Sequence, residues 1–135
     1  MKLLLDTHVW MWALDGGNQL SDSVKKMLLE PSNEIYYSMI SVLEVQLKHS
    51  AHPEVPLTPA ADLIAYSQEA GYHRLNISVE HILGLDHICL QEDAKPHKDP
   101  YDRLLISQAK TENMLLITYD KLLKGYGEAC VLCQR

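Results

Sequence analysis

Lys2 to Asp6 carries Leu3, Leu4 and Leu5 in a row, apolar on both faces of a strand, and stops at an aspartate. A run of this kind fits a strand buried from two sides, as central strands of a parallel sheet are. Thr7 to Leu14 follows as a helical stretch rich in Val9, Trp10, Met11 and Trp12 and ended by Gly16-Gly17. A second helix starts near Ser21, with Val24, Met27 and Leu28 at helical spacing and Pro31 beyond its end. Glu34 to Ser38 is a strand pattern. From Ser41 the sequence S-V-L-E is a capping-box signature, with Val42, Val45 and Leu47 as the apolar face, which gives Glu44 a local explanation. Pro53, Pro56 and Pro59 punctuate a loop, after which Thr58 caps a helix carrying Leu63, Ile64 and Tyr66 as far as Gly71. Arg74 to Ile77 is a candidate short strand, and Ser78 opens a small helix through Ile82 and Leu83. His87 to Lys98 is polar and loop-like. The helix after Asp99 is expected to bury Leu104, Leu105, Ile106 and Ala109, and Leu115 to Thr118 is a second wholly apolar strand with Asp120 just beyond it.

Short strands alternating with helices predict an α/β fold on a parallel sheet. The length of 135 residues suits one domain, 1–135, with a single continuous core. With 47% hydrophobic and 22% charged residues, the composition is that of a globular protein, without repeats or low-complexity tracts. The apolar runs are far too short to cross a bilayer, and Asp6 interrupts Leu3-Leu4-Leu5 before a signal sequence can form, so the expected location is the cytoplasm. Cys89, Cys130 and Cys133 make an odd number, which speaks against a disulfide framework. Cys130 and Cys133 have metal spacing but no second pair, and fit a terminal strand with inert thiols. His49-x-x-His52 is followed by Pro53, which breaks the rigidity a paired ligand site needs. Twelve Lys and Arg against 18 Asp and Glu give a net charge of −6, which excludes broad, non-specific binding to nucleic acid. It permits a small acidic centre that meets phosphate through a cation, and it suits a basic protein partner.

The acids carry the candidate chemistry. In H-K-D-P-Y-D-R-L-L-I, Asp99 before Pro100 is a good helix N-cap, and Asp102 in the first turn complements the helix dipole, so neither needs a further role. Asp6 and Asp120 stand at strand ends, where ligands bind in parallel sheets, yet each could equally cap the helix that follows. For both together with Glu44 and Asp102, convergence on one crevice becomes the stronger reading. Carboxylates held close together repel unless a cation sits among them, and hard oxygen ligands select Mg²⁺ or Mn²⁺. Such an ion polarises a phosphoryl oxygen and lowers the pKa of a bound water, so the implied chemistry is phosphodiester hydrolysis.

The chain resembles the PIN-domain ribonucleases, of the VapC toxin type found in bacterial type II toxin–antitoxin systems. Four stretches carry the resemblance: L-L-L-D-T-H-V-W-M-W-A-L, S-M-I-S-V-L-E-V-Q-L-K, H-K-D-P-Y-D-R-L-L-I-S-Q-A and L-L-I-T-Y-D. It implies a three-layer domain with a central, mostly parallel sheet flanked by helices. It implies a metal-dependent endoribonuclease with an acidic quartet at Asp6, Glu44, Asp102 and Asp120. Asp6 and Asp102 are then the direct ligands of Mg²⁺ or Mn²⁺, and Glu44 and Asp120 help bind the ion or orient the water. Thr7 and Thr118 support the acids or a bound phosphate. Asp99 becomes the cap of the helix that presents Asp102, with a reach to the site through a water left open. Lys98 and Arg103 are candidate RNA-backbone contacts or simply a charged, solvated face. His8 and His97 flank proposed ligands as RNA contacts or, preferably, as structural hydrogen-bonders. Trp10 and Trp12 belong to the core and to a dimer or antitoxin surface. The partners implied are RNA, a cognate antitoxin and a second copy of the chain, with no membrane. Two rivals have less support. A dehalogenase-like phosphotransfer domain wants an Asp where His8 stands, and a receiver wants a Lys further from Asp120 than Lys121 is. A PIN-like binding module without catalysis would have lost acids that this chain keeps.

Overall fold

Leu3, Leu4 and Leu5 are completely buried, because the strand that carries them lies at the centre of the sheet. The computed structural model describes residues 1–134. In chain order the elements are β1 (Lys2–Leu5), α1 (Thr7–Leu14), α2 (Asp22–Leu29), β2 (Glu34–Ser38), α3 (Met39–Ala51), α4 (Ala60–Glu69), β3 (His73–Leu75) and α5 (Val79–Leu83). A 3-10 turn at Gly84–His87, α6 (Pro100–Glu112), β4 (Leu115–Thr118), a second 3-10 turn at Lys121–Tyr126 and β5 (Val131–Cys133) complete the chain. The five strands lie in the order β3-β2-β1-β4-β5 and every neighbouring pair is parallel. β1 pairs Leu4 with Tyr36 on one side and with Leu116 on the other.

The alternation of side chains along the central strands divides the interior into two cores. Leu3, Leu5, Ile35, Tyr37 and Ile117 face one side, where Val9, Trp10, Val24, Val45 and Leu63 from α1 to α4 cover them. Leu4 and Leu116 face the other, under Leu105, Ile106 and Ala109 of α6 with Ile88, Leu123 and Tyr126. Helices thus flank the parallel sheet on both faces, as the resemblance implied. α6 ends at Asn113, whose left-handed backbone (φ 55°) lets its N–H return to the Ala109 carbonyl before the chain enters β4. Among the described residues no helix is long and apolar enough to cross a membrane.

Four local expectations need correction. α3 begins three residues earlier than the capping-box pattern predicts: Ser38, not Ser41, is its cap and accepts from the Ile40 N–H at 3.0 Å. Ser41 is therefore buried inside the first turn, and Leu47 lies on the outer face, 46% exposed. Pro59, not Thr58, precedes α4, with no side-chain cap. The short third strand is His73–Leu75 and not Arg74–Ile77, because it pairs with Tyr36 to Ser38 and that partner ends there. Leu104 is only half buried, at the edge of the second core. Ser78 does open α5, in a capping box closed by the Nδ1 of His81.

Trp10 fixes α1 to the sheet. Its ring is fully buried, stacks on Tyr37 with centroids 5.2 Å apart, and gives its indole N–H to Ser67 of α4 at 2.8 Å. Trp10→Ala should therefore cost about 3–5 kcal/mol, read as a lowered urea midpoint. A loss below about 1 kcal/mol would show that α1 is held elsewhere.

Candidate active site

The strand order reverses at β1: the chain builds β2 and β3 to one side of it, then crosses back to place β4 on the other. The connections leaving β1 and β4 diverge, which opens a crevice beyond their carboxyl ends. Asp6 is the first residue past β1, and its N–H bonds the Ile117 carbonyl of β4 at 3.0 Å. Its carboxylate is engaged on both oxygens. Oδ1 accepts from the Thr7 N–H at 2.7 Å, as an N-cap, and Oδ2 accepts from the Thr118 hydroxyl at 2.7 Å. Thr118 also accepts from the Asp120 N–H at 3.1 Å, and Asp120 caps the turn that follows it by accepting from Leu122 N–H at 2.9 Å. Capping and convergence are thus combined in the same side chains, where the sequence offered them as alternatives.

The early start of α3 gives Glu44 a different task from the one its sequence suggests. Freed from a capping box, Glu44 takes the Thr7 hydroxyl on Oε1 at 2.8 Å, and Ser41 Oγ lies 2.9 Å from the same hydroxyl. Thr7 has one proton and Glu44 can only accept, so the Thr7 hydroxyl orients Glu44 from the start of α1. The other oxygen of Glu44 faces Lys48, one helical turn on, at 3.7 Å. Asp99 caps α6 by accepting from the N–H groups of Tyr101 and Asp102. Asp102, on the first turn of α6, is buried and bonds His97: Nε2 lies 3.0 Å from Oδ2. Behind it, His97 Nδ1 meets the Tyr126 hydroxyl at 2.7 Å.

Asp6, Glu44, Asp99, Asp102 and Asp120 all line one crevice of about 410 Å³, together with His8, Trp12, Lys48 and Tyr119. The aromatic wall is continuous, with Trp12 edge-on to Tyr119 at 5.5 Å and tilted against His8 at 5.7 Å. The acids repel as they must. Burial above all, then the charges of Asp6, Asp99, Glu44 and Asp120, push Asp102 up to about 8. Burial also raises Asp6, although its bonds from Thr118 and Thr7 oppose the rise. Among the described residues, the ligand atoms poised within 4.8 Å of one another are those of His97, Asp102 and Asp120. Lys98 and Arg103 do not line the crevice. They border a neighbouring groove, and Arg103 gives its guanidinium to the carbonyls of Leu85 and Ile88, each at 3.1 Å. Trp10 lies in the core, and Trp12 divides its surface between core and crevice.

Sequence reasoning missed the bond from His97 to Asp102, because nothing local shows that the loop before α6 folds back onto it. The five-residue spacing in H-K-D-P-Y-D was the available signal. Ser41 and Lys48 were missed with the true start of α3; Lys48 stands four residues after Glu44, the spacing of a helical ion pair.

No curated protein matches this chain significantly. Solved structures do. The structure of VapBC2 from Rickettsia felis bound to a DNA fragment from its promoter aligns over 99% of this chain and 98% of the other, with 18% identity and a TM-score of 0.65. DNA-bound VapBC from Salmonella typhimurium aligns over 98% of both chains, with 15% identity and a TM-score of 0.68. A domain of a functionally unknown protein from Methanocaldococcus jannaschii covers 99% of this chain and 91% of its own at 16% identity, TM-score 0.54. These likenesses concern the fold. The PIN domain family model, however, matches residues 3–129, which contain every acid of the crevice, and the chain therefore belongs to the PIN-domain family.

Proposed function

We propose that the protein is a divalent-metal-dependent endoribonuclease of the VapC toxin type, which hydrolyses RNA phosphodiester bonds at the acidic crevice. The observation that carries this reading is the gathering of Asp6, Glu44, Asp99, Asp102 and Asp120 around one opening at the strand-order reversal. Family membership and the fold shared with the VapBC structures support it.

The donor set fits a hard cation. Lys48 is the single Lys or Arg lining the crevice among the described residues. One Lys does not neutralise five carboxylates, and Asp102, raised first by burial and then by the charges of four neighbouring acids, is the group whose ionisation a cation would favour. Oxygen donors with one imidazole nearby suit Mg²⁺ or Mn²⁺, held by Asp6, Asp102 and Asp120 with Glu44 in support. Bound there, the ion supplies Lewis acidity toward a phosphoryl oxygen and acidifies water. The remaining work belongs to the chain. Thr118 and the Thr7 N–H hold Asp6, Thr7 holds Glu44, and Asp99 fixes the first turn of α6 so that Asp102 faces the crevice. Attack by water on phosphorus, in line with the departing O3′, leaves 5′-phosphate and 3′-hydroxyl ends. Trp12, Tyr119 and His8 offer flat surfaces to unpaired bases, which favours single strands and loops over duplex. Lys98 is the exposed candidate for a backbone contact beside the crevice.

The partners proposed are a second copy and an antitoxin that places a basic side chain among the acids. Val79, Ile82 and Leu83 of α5, exposed by 66%, 51% and 63%, offer an apolar face to such a partner.

Purified protein should cleave single-stranded RNA with Mg²⁺ or Mn²⁺ and stop in EDTA. Asp102→Asn should lose about a hundredfold or more in rate, roughly 3 kcal/mol of transition-state stabilisation. Asp99→Asn should keep most of the activity, since Asn caps about as well as Asp. Cleavage that persists in EDTA, or that leaves cyclic phosphates, contradicts the mechanism.

Stability of the metal-free protein gives a second test. A carboxylic acid raised on folding stabilises the fold below its unfolded pKa, 3.8, and that contribution disappears as pH rises toward about 8. The thermal midpoint in EDTA should therefore fall as pH is raised over that window, and Asp102→Asn should flatten the fall. An unchanged slope in the variant would show that Asp102 is not the group responsible. Light scattering supplies a third: twice the 15.3 kDa chain mass is expected, and a monomer at micromolar concentration contradicts the dimer.

A further inference from the structure

We propose that Tyr126 and His97 form a positioning relay that orients Asp102 and thereby sets the cation affinity of the crevice. The proposal rests on the metal-dependent reading above and extends it to two residues outside the acidic set.

His97 is 5% exposed at its side chain and Asp102 13%, so the bond between them is shielded from water on both sides. A carboxylate serving a cation can only accept, so the imidazole must present Nε2–H to Asp102. In the neutral imidazole that leaves Nδ1 without a proton, and the Tyr126 hydroxyl at 2.7 Å is placed to donate to it. The two rings meet edge to face, with centroids 5.4 Å apart and planes at 90°, which fixes the imidazole in rotation as well as in tautomer. Oδ2 of Asp102 is then committed to His97. Oδ1 is the oxygen left for the crevice.

Tyr126 owes its position to the same short turn that carries Asp120. The 3-10 segment Lys121–Tyr126 starts from Asp120 as its cap and ends at Tyr126, whose ring is buried in the core beneath α6. One turn of chain thus presents Asp120 from the front and braces Asp102, through His97, from behind. Partners of this kind tune metal sites: loss of one costs about 10- to 100-fold in affinity in well-studied cases.

The test is Mn²⁺ affinity by calorimetry, on the intact chain, with circular dichroism to verify folding. His97→Ala should weaken binding by about 10- to 100-fold. His97→Gln, whose amide N–H can take the place of Nε2–H, should recover most of that loss. Tyr126→Phe keeps the ring and removes only the hydroxyl, and should weaken binding several-fold. In the Mg²⁺-loaded protein, ¹⁵N NMR should find His97 as the Nε2–H tautomer. An Nδ1–H signal overturns the relay. So does wild-type affinity in both His97→Ala and Tyr126→Phe, with the metal-dependent reading left standing. A histidine-nitrogen coupling in the electron spin echo of bound Mn²⁺ that vanishes in His97→Gln also overturns it, because His97 is then itself a ligand. Failure of the wild-type protein to bind Mn²⁺ or Mg²⁺ at all overturns both.

Discussion

The proton that Thr118 gives to Asp6 joins the ends of β1 and β4, and the crevice depends on that junction. The bond is short and wholly buried, and it sits where the strands stop pairing and their connections part. Without it, Asp6 would carry one fewer bond to its charged form in a position where burial already disfavours charge. The other acids are placed relative to this pair. Thr7, next to Asp6, orients Glu44, and Asp120 is held by its own N–H on the Thr118 hydroxyl.

The protein holds its carboxylates together against their repulsion by giving most of them a second, structural occupation. Asp6, Asp99 and Asp120 each cap the element that follows, so the backbone N–H groups that stabilise the charge are the unpaired donors every helix or turn start already has. Asp102 has no such cap to serve and is the acid most strongly displaced. It is also the one that receives His97. Beyond the crevice, Ser38 ties the start of α3 to Gln108 of α6 at 2.6 Å, which holds the helices bearing Glu44 and Asp102 at a set separation.

The fold was legible because its signals are local and redundant: two all-apolar strands, each ending near an aspartate, allow little besides a parallel sheet with β1 and β4 inside. The capping acid Asp99 was legible for the same reason, since Asp before Pro at a helix start has a physical meaning without tertiary context. Glu44 was harder. A Ser three residues before a Glu satisfies the capping-box pattern, and only the burial of Ser41 under α1 moves the helix start to Met39. His97 was legible as a structural hydrogen-bonder, but its pairing with Tyr126 was beyond reach. The two stand 29 positions apart, and the loop that brings them together has no periodicity to follow.

The two partners in the Asp6–Thr118 bond are separated by 112 positions. Synthesis delivers Asp6 more than a hundred residues before Thr118. Until Leu115–Thr118 is free to join the sheet, β1 has a neighbour on one side only, Asp6 lacks its hydroxyl donor, and Asp120 has no place beside them. The acidic crevice is thus a late product of folding, and a chain that stops before β4 has neither the donor that holds Asp6 nor Asp120 to set beside it.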